Sequence, residues 1–109
     1  MLVLFDNGTP RTLARYLIAH HTVTEARVRG WGELANGELL TAAEATGFEV
    51  LVTTDRNLRY QQNLAGRKIA LVVLGQGRWR VIQRHIAEVL AAINAARPGT
   101  YTEVEIPFA

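Results

Sequence analysis

The chain has 109 residues and a mass of 12.1 kDa, enough for one hydrophobic core, and residues 1–109 are read as a single domain. Hydrophobic residues make up 49% and charged residues 20%, a globular balance that excludes a disordered chain. No apolar run approaches the roughly 18 to 20 residues of a membrane span, and the absence of cysteine excludes a disulfide framework or a thiolate zinc site.

The opening "MLVLF" predicts a buried strand over residues 2–5 and meets Asp6 too soon for a signal peptide, so a cytoplasmic location is expected. "TPRTLARYLIAHH" predicts a helix with Thr9 as N-cap, Pro10 in the first helical position, and Leu13 and Leu17 on one face. "TVTEARV" at 22–28 is a second strand, less apolar and nearer an edge. A loop with three glycines, "RGWGELANG", leads into the helix "ELLTAAEATG", with Asn36 as its N-cap and Gly47 as its stop. Residues 49–54, "EVLVTT", and 68–75, "KIALVVLG", are the third and fourth strands. "RWRVIQRHIAEVLAAINAA" is the longest helical pattern, with Trp79, Ile82, Ile86, Val89, Leu90 and Ile93 at three- and four-residue steps. The closing "TYTEVEIPF" alternates, Val104 and Ile106 on one face and Glu103 and Glu105 on the other, as a half-exposed edge strand does.

Strands interleaved with helices predict a mostly parallel α/β sheet, of order 2-1-3-4 with the last strand at an edge. In such a sheet, ligands bind beyond the carboxyl ends of the strands, between the first and third. The chain has only two aspartates, and they fall there: Asp6 follows "LVLF" and Asp55 follows "LVTT". Neighbouring strands lie about 5 Å apart, so the two carboxylates can share a divalent cation. Each also has a simpler use, Asp55 as a helix cap and Asp6 in a turn into Gly8. Glu38, in the first turn of its helix, is the third candidate acid, or else complements the helix dipole. Oxygen ligands with retained waters suit Mg²⁺ or Mn²⁺. Asn7, Asn36 and Asn57 surround the same corner and can orient waters without adding charge, so weak metal binding is expected. Arg56, Arg59 and Tyr60 can hold a phosphate backbone and stack a base. The eleven arginines, against one lysine, are suited to a nucleic-acid partner, but a solvated surface accounts for them more simply. His20, His21 and His85 match no metal spacing, and "LGQGRW" reads as a tight turn rather than a phosphate loop.

"LFDNGTP", "WGELANGELL" and "VLVTTDRNLRYQQNL", in this order, resemble the bacterial PIN-like domain family of unknown function, related to the toxin-type (VapC-like) PIN nucleases. The resemblance runs from Leu2 to about Ile106. It implies a PIN-like three-layer α/β/α fold and an acidic site for Mg²⁺ or Mn²⁺, with Asp6 matching the first-strand acid, Glu38 the helix acid and Asp55 the acid after the "TT" strand. It also implies RNA cleavage, a toxin role with an antitoxin-like protein as partner, and a homodimer. The chain departs from many relatives in carrying Asn7-Gly8 where they have an acid and an asparagine, and Asn36 and Asn57 where they have further acids.

Three readings follow. The first is a metal-dependent ribonuclease in which Asp6, Glu38 and Asp55 hold the ion. The second is a catalytically weak module that binds RNA or protein through the same crevice. In the third, all three acids are structural parts of a protein–protein adaptor.

Overall fold

The computed structural model describes residues 1–56 and 64–107. Five parallel strands form one sheet: β1 (Leu2–Phe5), β2 (Thr22–Glu25), β3 (Val50–Thr53), β4 (Ala70–Leu74) and β5 (Tyr101–Val104), in the order β2-β1-β3-β4-β5. The expected order and the edge position of the last strand are therefore found. The runs in β1, β3 and β4 carry apolar side chains on both faces, and Val3–Phe5, Val50–Val52 and Ala70–Leu74 are all buried. Only inner strands covered on two sides reward that pattern. The alternating β2 and β5 take the edges.

Two apolar layers sandwich the sheet. On one face α1 (Asn36–Thr46) packs Leu39, Leu40 and Ala43 against Leu4, Leu51 and Leu71. On the other, Leu13, Leu17, Ile82, Val89 and Ile93 pack against Val3, Phe5, Val52 and Val72. No helix among the described residues is long and apolar enough to cross a membrane.

Three helical expectations need correction. The segment after β1 is a 3-10 helix, Arg11–Tyr16, and its N-cap is Pro10 rather than Thr9. The Thr9 hydroxyl donates instead to the Val52 carbonyl at 2.8 Å, across the end of the sheet, and so is not available to a helix amide. Only Leu13 and Leu17 of that segment are buried deeply, while Tyr16 and Ile18 face solvent, so a longer helix would bury little more. The long helical pattern is interrupted: α2 (Trp79–Ile82) passes through a 3-10 turn at Gln83–His85 into α3 (Ile86–Asn94). His85 leaves the helical region at φ −124°, and the Gln83 side chain donates to the Arg80 carbonyl at 3.2 Å. The apolar stripe nonetheless continues through both pieces. In α1 the N-cap is Ala35, which makes Asn36 the first helical residue.

Gly47 ends α1 in the left-handed region, at φ 98°, as expected of a helix stop. Nearby, Glu44 anchors α1 to the turn before β4. Its carboxylate accepts from the Arg67 guanidinium at 2.5 Å and from the Lys68 backbone N–H at 3.1 Å. Burial pushes the Glu44 carboxyl up, but the Arg67 hydrogen bond, the Lys68 amide and both positive charges outweigh it and hold it below the usual 4.5. A carboxyl held low in the folded state adds stability above its unfolded value and loses it as pH falls through the folded one. Acidification from about pH 5 to about pH 3 should therefore lower the melting temperature less in Glu44→Gln than in the parent. Parallel melting curves would contradict this.

Candidate active site

The register of the sheet builds the site. Phe5 lies beside Val52, and the Asp6 N–H donates to the Val52 carbonyl at 3.0 Å, carrying the β1–β3 ladder one residue further. Asp6 therefore emerges beside Thr53, the last residue of β3. The buried Thr53 hydroxyl donates to Asp6 Oδ2 at 2.8 Å and accepts from the Asp55 N–H at 3.1 Å. One hydroxyl thus links the two aspartates at the carboxyl ends of adjacent central strands.

Each carboxylate has further partners. Asp6 Oδ1 accepts from the Asn7 N–H at 2.8 Å, and Asp55 Oδ2 accepts from Asn36 Nδ2 at 3.1 Å. The Asn7 side chain donates to the Gly32 carbonyl at 2.7 Å, which ties the loop before α1 to the end of β1. A carboxylate oxygen has two acceptor positions, so these bonds fix the acids and leave each Asp6 oxygen able to take another partner.

Glycines bring three loops together here. A Cβ on Gly8 would collide with the Thr54 hydroxyl, and a Cβ on Gly77 would lie 3.0 Å from the Gly8 carbonyl. Neither glycine has a positive φ, so what each supplies is space rather than backbone freedom. "LGQGRW" forms a bend at Gly75 and an irregular segment into the next helix rather than the expected tight turn, and at Gly77 it presses against the loop that carries Asp6.

Of the other sequence candidates, Glu38 is exposed, and its carboxylate accepts from the Ala35 N–H of its own helix start at 3.2 Å. It lines a separate depression with Leu34, Thr41 and Ala42. Asn36, not Glu38, is the α1 residue that reaches Asp55. Among the described residues, no three His, Asp or Glu side chains lie close enough to hold one metal ion. Arg56 pairs with Glu103 at 3.1 Å, beside an open cleft of about 430 Å³ that Glu105 and Pro107 also line. Asn57, Arg59 and Tyr60 lie outside the described residues. His20 and His21 sit at the opposite end of the sheet, and His85 lies 3.8 Å from Glu88.

Sequence reasoning missed Thr53. Its signal was the "TT" before Asp55, which reads equally as ordinary strand composition. It also missed a cleft of about 250 Å³ on the β2 side of Asp6, lined by Gly8, Arg11, Glu25, Arg27 and Gly77. Thr53→Val keeps the shape but removes the donor to Asp6 and the acceptor for the Asp55 N–H. It should cost about 1–2 kcal/mol by denaturant unfolding, with Thr53→Ser much closer to the parent. Equal stability of Val and parent proteins would show that the hydroxyl link contributes nothing.

Searches of the chain against protein-family models, curated proteins and solved structures find no match.

Proposed function

We propose that this protein is a Mg²⁺- or Mn²⁺-dependent ribonuclease of the PIN-like type, hydrolysing RNA phosphodiesters at the crevice above β1 and β3. The observation that carries this reading is the pair Asp6 and Asp55, joined through Thr53 at the switch point of a parallel sheet. The donor set fits a hard cation: Mg²⁺ keeps several waters and is commonly held by one or two carboxylates together with substrate phosphate. Asp6 and Asp55 would hold the ion, and Glu38, turned onto its own helix start, stands outside that pair. When bound, the ion supplies Lewis-acid stabilisation of the charge that develops on the phosphodiester oxygens. Thr53 and Asn36 orient the two carboxylates, and the Gly8 and Gly77 loops shape the floor beside them. Restraint by an antitoxin-like protein belongs to the same reading.

A second reading, a binding module with little catalytic power, is favoured by the amides. Asn7 and Asn36 add no charge, and their side chains are engaged with Gly32 and Asp55. One assay separates the two. A ribonuclease cleaves labelled single-stranded RNA in Mn²⁺, stops in EDTA, and loses cleavage in Asp55→Asn. A parent protein that binds the RNA but leaves it intact is the module instead. Cleavage that survives Asp55→Asn would count against this centre altogether.

A further inference from the structure

The cleft on the β2 side of Asp6 has a feature that metal binding does not use. Arg11, the first residue of the 3-10 helix, and Arg27, just beyond β2, both approach Glu25 Oε1 through Nε, each at 3.4 Å. Glu25 is the last residue of β2 and lies in register with Phe5, one residue before Asp6. Both guanidinium groups are therefore gathered at the rim of the crevice next to Asp6, and all line the same cleft.

Two arginines side by side repel, and their long side chains lose entropy when ordered. A shared carboxylate offsets the repulsion and limits both side chains at once. The two arginine side chains remain 69% and 54% exposed, against 27% for Glu25, so both are largely open to solvent. The trio carries a net positive charge, and a guanidinium presents a planar fork of donors matched to phosphate oxygens.

We infer that Arg11 and Arg27, gathered by Glu25, bind the backbone phosphate of a single-stranded RNA lying across Asp6 and Asp55. This rests on RNA as the ligand of the crevice, as proposed above. A strand fits better than a mononucleotide because the arginine pair lies beside the aspartates, on the β2 side of Asp6, whereas Arg56 beyond Asp55 is already paired with Glu103. One phosphate would meet Arg11 and Arg27 while its neighbour in the strand would lie over the aspartates.

The test is binding without metal. Fluorescence anisotropy of a labelled single-stranded RNA of about 12 nucleotides is measured in EDTA across a series of NaCl concentrations. Each single-strand phosphate contact contributes about 0.7 to the salt slope. The Arg11→Gln/Arg27→Gln double variant should therefore lower the slope by about 1.4 and weaken binding about tenfold at moderate salt. Each single variant should fall between it and the parent. Arg97→Gln, at an exposed position on the opposite end of the sheet, should change neither quantity. The inference is overturned if the parent does not bind the RNA, or if the double variant, folded by circular dichroism, keeps the parent slope. It is also overturned if a 5′-mononucleotide binds as tightly as the strand and loses affinity equally in the variants, which would make the cleft a site for a free phosphate group. Because no metal is present, a protein that fails to cleave but shows the arginine-dependent slope removes only the ribonuclease reading. A protein that cleaves with an unchanged slope removes only this one.

Discussion

Asp6→Asn is expected to lower metal-dependent RNA cleavage by roughly 100-fold or more while leaving the protein folded. The substitution keeps size and shape and removes one negative charge from a pair that would hold a divalent ion. Its structural cost follows from two donors. The Thr53 hydroxyl is buried and needs an acceptor, so the new amide oxygen should turn toward it, in place of Asp6 Oδ2. The amide nitrogen would then face the Asn7 N–H, donor against donor, but Asn7 is exposed and water can accept from it. A net loss of about 1 kcal/mol is expected, a few degrees in melting temperature. Mn²⁺ should raise the melting temperature of the parent and not of the variant. Full cleavage by Asp6→Asn would place the chemistry elsewhere or in a contaminant.

The largest effect on stability is expected from one added methyl group. In Gly75→Ala the new Cβ would lie 2.9 Å from the Ile106 nitrogen, 3.3 Å from its carbonyl oxygen and 3.4 Å from the Val104 carbonyl oxygen. All three are backbone atoms, so no side chain can swing aside. Retreat is blocked as well, because the Gly75 N–H donates to the Val104 carbonyl at 3.0 Å and Gln76 Nε2 donates to the Pro107 carbonyl at 2.7 Å. Separating β4 from the chain beyond β5 would break both bonds and expose Ile106, which is 3% accessible. A loss of about 2–3 kcal/mol is expected, roughly a 10 °C fall in melting temperature. Gly77→Ala should cost less, since its single close contact is 3.0 Å from the Gly8 carbonyl. A fall of less than about 2 °C in Gly75→Ala would mean that the segment yields easily.

Much of the fold was legible because burial on two faces leaves a mark. "LVLF", "VLVT" and "ALVVL" have no polar face, and only covered strands avoid one, so their central places followed. Asp6 and Asp55 were legible for a related reason, since a charge directly after such a run must lie where the strand leaves the core. Hydroxyl competition was not legible. Thr9 has the right type and position for a helix cap, and nothing local says that the Val52 carbonyl will take its proton. Thr53 hid in the same way, as a β-branched residue in a strand. At α1, Asn36 and Glu38 exchanged expected parts: with Ala35 as the cap, Asn36 reaches Asp55 and Glu38 folds back on Ala35. Glu25 and Arg27 are near neighbours in sequence, but Arg11 lies 14 residues before Glu25, and only the pairing of β1 with β2 brings it to them.

An all-parallel sheet sorts the polypeptide by end. Every loop that leaves a strand opens on the rim that holds Asp6, Thr53 and Gly77, and every segment that enters one comes from the other rim. His20, exposed just before β2, belongs to the second rim, with Met1 and Glu49 at the starts of β1 and β3. Since the chain contains no cysteine, His20→Cys would introduce a single thiol there. A fluorophore attached to it would sit away from Asp6, Asp55, Arg11 and Arg27, so energy transfer from it to a labelled RNA would test the proposed binding without touching the residues proposed to carry it.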